Sequence, residues 1–117
     1  MTTITLLHNP RCSKSRQTLS LLEENGITPV IVEYLKTPLT EDELKDVFKK
    51  LNVNTVREMM RTNDQEFKEA GLMDNTVSDQ MLFEAMVKIP KLIERPIVIK
   101  DDKARLGRPP ESVLEIL

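Results

Sequence analysis

The stretch ITLLHNPRCSKSRQTLSLLEENGITPVIVEY, residues 4–34, decides the fold of this chain. Residues 3–8 are apolar and β-branched and predict a short buried strand. Residues 13–25 carry apolar side chains at helical spacing and precede a glycine that suits a helix C-cap. Residues 29–34 are again rich in β-branched types and predict a second strand. A strand, a helix and a strand in this order form a βαβ unit, so the two strands should be parallel.

The middle of the chain predicts helices with no strand between them. Thr40 and Glu43 have the spacing of a capping box, and apolar residues follow them at helical intervals. Helical patterns cover residues 40–51, 54–61, 64–70 and 78–88. In the last of these helices, the spacing predicts that the inward side chains are those of Met81, Leu82, Ala85 and Met86.

The last third of the chain returns to strands. Residues 96–100 and 103–107 flank an Asp-Asp pair, and two strands around a two-residue turn predict an antiparallel hairpin. Residues 111–116 predict a final helix that two prolines precede. The whole pattern is that of an α/β fold in one domain over residues 1–117, with a helical insertion between the second and third strands.

The composition argues against several classes of protein. The chain has 117 residues, with 17 lysines and arginines against 19 aspartates and glutamates. A net charge of −2 argues against nucleic-acid binding, which normally goes with a basic excess. No apolar run approaches the roughly 20 residues that span a bilayer, so we expect no membrane association. The first residues show no signal-peptide pattern, and we therefore expect a cytoplasmic protein.

Cys12 is the single cysteine of the chain. It forms no internal disulfide, and a zinc site of several thiolates is excluded. Ser15 stands where a CxxC motif would have its second cysteine, and His8 and Cys12 alone do not make a metal site. We expect no bound cofactor and no metal. If Cys12 is redox-active, the second thiol has to come from another molecule.

Cys12 lies in the predicted loop between the first strand and the following helix. The free backbone N–H groups and the dipole at a helix N-terminus favour an anion and lower the pKa of a cysteine. The same effect is expected from the neighbouring cations Arg11, Lys14 and Arg16. The hydroxyl of Ser15 is near enough in sequence to donate to the sulfur. The alternative is a small buried apolar cysteine, but the polar, basic loop favours a nucleophile.

Four segments in order carry a family resemblance. They read HNPRCSKSR at residues 8–16, MRTN at 60–63, ERPIV at 94–98 and RLGRP at 105–109. With these segments the chain resembles the glutaredoxin-coupled arsenate reductase family, in particular its short bacterial arsenate reductase-like members. The resemblance covers nearly the whole chain. It implies a thioredoxin-like fold, with a mixed sheet and a helical insertion.

The resemblance also implies which residues form the active site. The catalytic roles fall on His8, Cys12 and Ser15. The residues that would bind the substrate oxyanion are Arg61, Arg95 and Arg108. The cis-proline that faces the active cysteine in thioredoxin-like folds falls on Pro96. Without the resemblance, each of these arginines would be interpreted as an ordinary surface or loop residue.

The function implied by the resemblance is the reduction of arsenate to arsenite through a Cys12 thiol-arsenate adduct. Arginine suits the substrate because its planar, permanently charged fork binds an oxyanion through two hydrogen bonds. Glutathione would be the co-substrate, and glutaredoxin would resolve the disulfide between Cys12 and glutathione. We expect a monomer, with neither nucleic acid nor a membrane as a partner.

Two other functions stay open. Arg11, Ser13 and Lys14 stand where family members often carry smaller residues, and this difference favours a glutathione-dependent thiol oxidoreductase with little arsenate activity. A redox-responsive, thioredoxin-like regulator that binds RNA polymerase is the minor alternative. Such a regulator senses oxidation through a CxxC motif, and the serine at position 15 argues against it.

Overall fold

The computed structural model describes residues 3–74 and 76–117. The predicted βαβ unit is present as β1 (Ile4–Leu7), α1 (Ser13–Glu24) and β2 (Val30–Val32). The strands β1 and β2 are parallel, as predicted. Gly26 follows α1 with a φ of 75°, in the left-handed region that glycine adopts at little cost, and the helix ends there.

Two further strands complete a mixed four-stranded sheet. These are β3 (Ile97–Lys100) and β4 (Lys103–Leu106), and the order across the sheet is β2-β1-β3-β4. The strand β3 runs antiparallel to β1, and β4 runs antiparallel to β3. Asp101 makes the tight turn of the hairpin with a φ of 55°. The predicted hairpin and the predicted α/β fold are both confirmed.

The insertion between β2 and β3 is helical, as predicted. It contains α2 (Glu41–Leu51), a 3-10 helix (Val56–Met59), α3 (Gln65–Glu69), α4 (Asp79–Lys88) and a second 3-10 helix (Pro90–Leu92). The predicted capping box begins α2. The hydroxyl of Thr40 accepts from the Glu43 N–H at 3.2 Å, and the Glu43 carboxylate accepts from the Thr40 N–H at 2.9 Å.

The predicted helix over residues 54–61 is wrong in type and length. Only the 3-10 helix forms there, because the chain then enters a β-bridge between Met60 and Ile93. The N–H of Arg61 donates to the carbonyl of Leu92 at 2.7 Å. A backbone N–H that is used across this bridge is not available for a helical hydrogen bond.

The buried face of α4 differs from the predicted one. Met81 is 51% exposed, whereas Phe83 is only 5% exposed. The ring of Phe83 packs edge-to-face on Phe48 of α2, with the ring centroids 5.9 Å apart. This aromatic contact turns Phe83 toward the core together with Leu82 and Met86, so that Met81 points outward.

Both faces of the sheet are covered. Successive residues of a strand point to opposite faces, so Leu7 and Ile97 belong to the core under the insertion, whereas Leu6 and Val98 belong to the core under α1. The predicted final helix is a 3-10 helix over Pro110–Ile116, and it closes the second core. No helix of the described residues is long and apolar enough to cross a membrane.

Gly107 lies where the chain passes very close to Pro96. Its N–H donates to the carbonyl of Pro96 at 2.9 Å. A Cβ atom at this position would meet Pro96 Cγ at 2.6 Å and Thr18 Oγ1 at 2.7 Å. The contact between β4, β3 and α1 therefore requires a residue without a side chain.

We predict that Gly107→Ala lowers the free energy of unfolding by roughly 1–3 kcal/mol, the usual cost of an overpacked interior. Gly71→Ala is the control, because Gly71 has a φ of 72° but no atom within 4 Å of the place that a Cβ atom would occupy. That variant should lose only about 1 kcal/mol, from its backbone conformation. Urea denaturation measures both, and a Gly107→Ala protein as stable as wild type would contradict the packing argument.

Candidate active site

The loop after β1 is tied down by backbone hydrogen bonds and ends at Cys12. The N–H of His8 donates to the carbonyl of Val32 at 2.9 Å, and the N–H of Cys12 donates to the carbonyl of Asn9 at 3.0 Å. Cys12 is the N-cap residue of α1 and is partly buried. Its side chain makes no capping hydrogen bond, but the sulfur lies near enough to the N–H groups of Lys14 and Ser15 for them to lower its pKa.

The pKa of the Cys12 thiol lies below its ordinary value. Burial raises this pKa, but the backbone N–H groups of Ser15 and Lys14 and the guanidinium of Arg95 together lower it by more. Nearby N–H dipoles and a positive charge stabilise the thiolate more than the thiol, which is the requirement for a nucleophilic cysteine.

The cations next to Cys12 in the sequence affect the pKa of its thiol less than the sequence indicated. The side chains of Arg11, Lys14 and Arg16 are exposed. Arg16 donates to the carbonyl of Pro10 at 2.9 Å, so that it braces the loop. The guanidinium that interacts with the sulfur belongs to Arg95, which comes from the other end of the chain.

Arg95 reaches Cys12 because of the strand pairing. It lies just before β3, and β3 is antiparallel to β1 with Ile97 opposite Leu7. The amino end of β3 is therefore beside the carboxyl end of β1, where the cysteine loop begins. The peptide bond between Arg95 and Pro96 is cis, as the resemblance implied.

Tyr34 is a residue of this site that the sequence analysis missed. It follows β2, is 1% exposed, and its hydroxyl has no hydrogen-bond partner within residues 3–74 and 76–117. The same holds for Nε of Arg95. Burial raises the pKa of Tyr34 to about 12, and the charges of Arg95 and Cys12 also act on it. The one signal available in the sequence was its position after a strand parallel to β1.

His8 and Ser15 form a buried pair behind Cys12. Nδ1 of His8 lies 2.6 Å from the Ser15 hydroxyl, which also accepts from the Asn9 N–H at 3.1 Å. Among the described residues the expected bond from this hydroxyl to the sulfur does not form; the Ser15 oxygen instead pairs with Nδ1 of His8, and Ser15 acts on the pKa of Cys12 through its backbone N–H. Burial lowers the pKa of His8, so the ring is neutral at pH 7.

Arg61 and Arg108 line a polar cavity of about 180 Å³ together with Asp64 and Glu94. Two nitrogens of Arg61 donate to the Asp64 carboxylate, at 2.6 and 3.1 Å. This carboxylate raises the pKa of Arg61, and the arginine lowers the pKa of Asp64. Nε of Arg108 lies 2.9 Å from Glu94 and donates to the carbonyl of Arg95 at 2.8 Å.

The three predicted arginines thus lie in one region, but they differ in how they interact with the Cys12 sulfur. Arg95 lowers the pKa of Cys12, and the Cys12 charge raises the pKa of Arg61. Arg108 is joined to them through the backbone of Arg95. The sequence pattern did not indicate that carboxylates accompany two of the arginines. Asp64 is three residues from its partner Arg61, whereas Glu94 is far along the chain from its partner Arg108.

Comparison with known proteins assigns this chain to a family. A model of the ArsC family matches residues 7–116. The chain belongs to the ArsC family. An arsenate reductase of Haemophilus influenzae is 51% identical over 114 residues, which are 97% of this chain and 98% of that protein. The uncharacterized protein YfgD of Escherichia coli is 53% identical over 97% of this chain and 96% of its own length.

A solved structure agrees with the fold of this ArsC-family chain. The arsenate reductase from Vibrio cholerae is 52% identical, with a TM-score of 0.98 over 99% of this chain and 98% of that one. The family resemblance and the thioredoxin-like fold that the four segments predicted are therefore confirmed.

We predict that Arg95→Gln raises the pKa of Cys12, because glutamine keeps a similar length and can donate a hydrogen bond but removes the positive charge. Alkylation by iodoacetamide requires the thiolate, so the pH profile of its rate should move to higher pH in the variant. Arg105→Gln is a matched control, because Arg105 pairs with Glu115 instead. Its profile should equal that of wild type, and an unmoved Arg95→Gln profile would contradict the role of Arg95.

Proposed function

We propose that this ArsC-family protein is an arsenate reductase with Cys12 as its nucleophile. The observation that carries the proposal is the position of Cys12 at the N-terminus of α1, where Arg95 and the first N–H groups of the helix lower the pKa of its thiol. The names of the relatives from Haemophilus influenzae and Vibrio cholerae support arsenate as the substrate.

The physical difficulty of this reaction is that a thiolate has to approach an anionic substrate. Two anions in a partly buried site repel each other unless cations compensate. In our proposal Arg95 interacts with both anions, because its planar fork presents several donors and it is close enough to the sulfur to lower the pKa of Cys12. Arg61 and Arg108 would hold the remaining oxygens of the substrate from the neighbouring cavity.

The proposed redox sequence begins when the Cys12 thiolate attacks arsenic, and a hydroxyl of arsenate takes a proton from solvent and leaves as water. The thiol of glutathione then attacks the Cys12 sulfur, and the electron pair of the sulfur–arsenic bond goes to arsenic. This step forms a Cys12–glutathione disulfide and releases arsenite. A thiol of glutaredoxin exchanges with that disulfide and restores Cys12. The outside thiols are required because Cys12 is the single cysteine.

A groove of about 610 Å³ along α1 supports the glutathione step. Its lining includes Ser13 and Lys14, which follow Cys12, and Pro109 and Pro110 from the opposite side. The lining also holds Arg16, Glu24 and Glu111, so the cations of Lys14 and Arg16 would bind the carboxylates of glutathione beside two carboxylates of the chain. The groove would bring the glutathione thiol to the exposed side of Cys12.

Wild-type protein should form arsenite from arsenate with glutathione and glutaredoxin, and Cys12→Ser should give no turnover above the uncatalysed background. Arg95→Gln should lower kcat by roughly 10²–10³-fold, as the loss of one donor to a reacting oxyanion does elsewhere. Thermal unfolding of both variants is the control for folding. Absence of turnover by the folded wild-type protein would contradict the proposal.

A glutathione-dependent thiol oxidoreductase is the second candidate. It is favoured by the pairing of Arg61 with Asp64 and of Arg108 with Glu94, which leaves the oxyanion cavity without excess positive charge. For this function the protein should remove glutathione from a simple mixed disulfide in a reaction that requires Cys12. Equal rates for wild type and Cys12→Ser would contradict it.

A further inference from the structure

A carboxylate of the chain, that of Glu94, already lies in the cavity beside Arg61 and Arg108. Oε1 of Glu94 lies 2.9 Å from Nε of Arg108 and 3.9 Å from a terminal nitrogen of Arg61. It also accepts from the backbone N–H of Arg95 at 3.2 Å. One carboxylate oxygen thus faces two guanidinium groups and one backbone donor, which is the environment that an oxyanion oxygen requires.

The charges around this cavity cancel. Its lining contains two guanidinium groups, on Arg61 and Arg108, and two carboxylates, on Asp64 and Glu94. An incoming anion therefore meets no net positive charge, and it meets the Glu94 carboxylate at close range. A fully deprotonated anion is repelled by that carboxylate and finds no hydrogen-bond donor on it, because an ionised carboxylate only accepts.

An oxyanion that carries a hydroxyl can instead donate a hydrogen bond to Glu94. Arsenate and phosphate carry at least one hydroxyl at neutral pH, whereas sulfate carries none. In the described residues the contacts of Glu94 run through Oε1, which leaves Oε2 to accept from such a hydroxyl. The side chain is 22% exposed, so a ligand in the cavity has access to it.

We propose that Glu94 is a specificity-determining residue that admits tetrahedral oxyanions bearing a hydroxyl and rejects fully deprotonated ones. The favoured class includes hydrogen arsenate and hydrogen phosphate, and the rejected class includes sulfate. Repulsion of the wrong ligand and a hydrogen bond to the right one act together, as in other sites that discriminate between similar ligands. The inference rests on the proposed function in one respect, that the oxyanion binds beside Arg61 and Arg108.

Calorimetric titration of the full chain with arsenate, phosphate and sulfate at neutral pH and constant ionic strength tests this role. Wild type should bind arsenate and phosphate at least about tenfold more tightly than sulfate. In Glu94→Gln this preference should fall by roughly tenfold, chiefly through tighter binding of sulfate, because the amide removes the negative charge and adds a donor. The amide oxygen can still accept from the Arg95 N–H and lie beside Arg108, so the variant should remain folded.

Glu115→Gln is the matched control, because this carboxylate pairs with Arg105 at 3.2 Å and does not line the cavity. It should keep the wild-type preference. The role of Glu94 is overturned if sulfate binds wild type as tightly as arsenate does, if no oxyanion binds, or if Glu94→Gln keeps the full preference.

The titration contains no glutathione and involves no turnover, so the two proposals fail separately. A wild-type protein that discriminates between the anions but forms no arsenite refutes the reductase and supports the role of Glu94. One that forms arsenite but binds sulfate equally well refutes the role of Glu94 alone.

Discussion

The pairing of β1 with a parallel strand on one side and an antiparallel strand on the other is the constraint on which the candidate site depends. It places the carboxyl ends of β1 and β2 and the amino end of β3 at one edge of the sheet. Cys12 follows the first of these strands, Tyr34 follows the second, and Arg95 precedes the third. Reversing either pairing direction would place one of these residues at the opposite edge, so the thiolate environment is a consequence of topology.

The site has two parts that differ in their net charge. Around Cys12, backbone N–H groups and Arg95 surround a single sulfur, and their combined effect stabilises the thiolate. In the adjoining cavity, each arginine has its own carboxylate, so the positive charge is balanced. Arg61 interacts electrostatically with both Cys12 and Glu94 and therefore couples the parts. In our proposals, the first part favours a reactive anion of the protein, and the second selects which external anion binds near it.

Local signals in the sequence predicted most of the elements, because a capping box, helical spacing and an Asp-Asp turn depend on neighbouring residues alone. The wrong predictions of secondary structure and burial occur where segments far apart in the chain contact each other. The bridge between Met60 and Ile93 ends a helix that the local pattern would continue. The contact between Phe48 and Phe83 selects the inward face of α4, and no spacing rule contains the position of the partner ring.

The sequence by itself determined that this protein has one thiol, that the thiol begins a helix, and that its four motifs are those of the ArsC family. These conclusions need only residue types and their order. Tertiary structure alone decided which cation stabilises the sulfur, that Tyr34 lies beside it, and that Glu94 faces two arginines. The reason is physical: electrostatic interactions and hydrogen bonds depend on distances of a few ångströms, and strand pairing sets these distances between residues far apart in the chain.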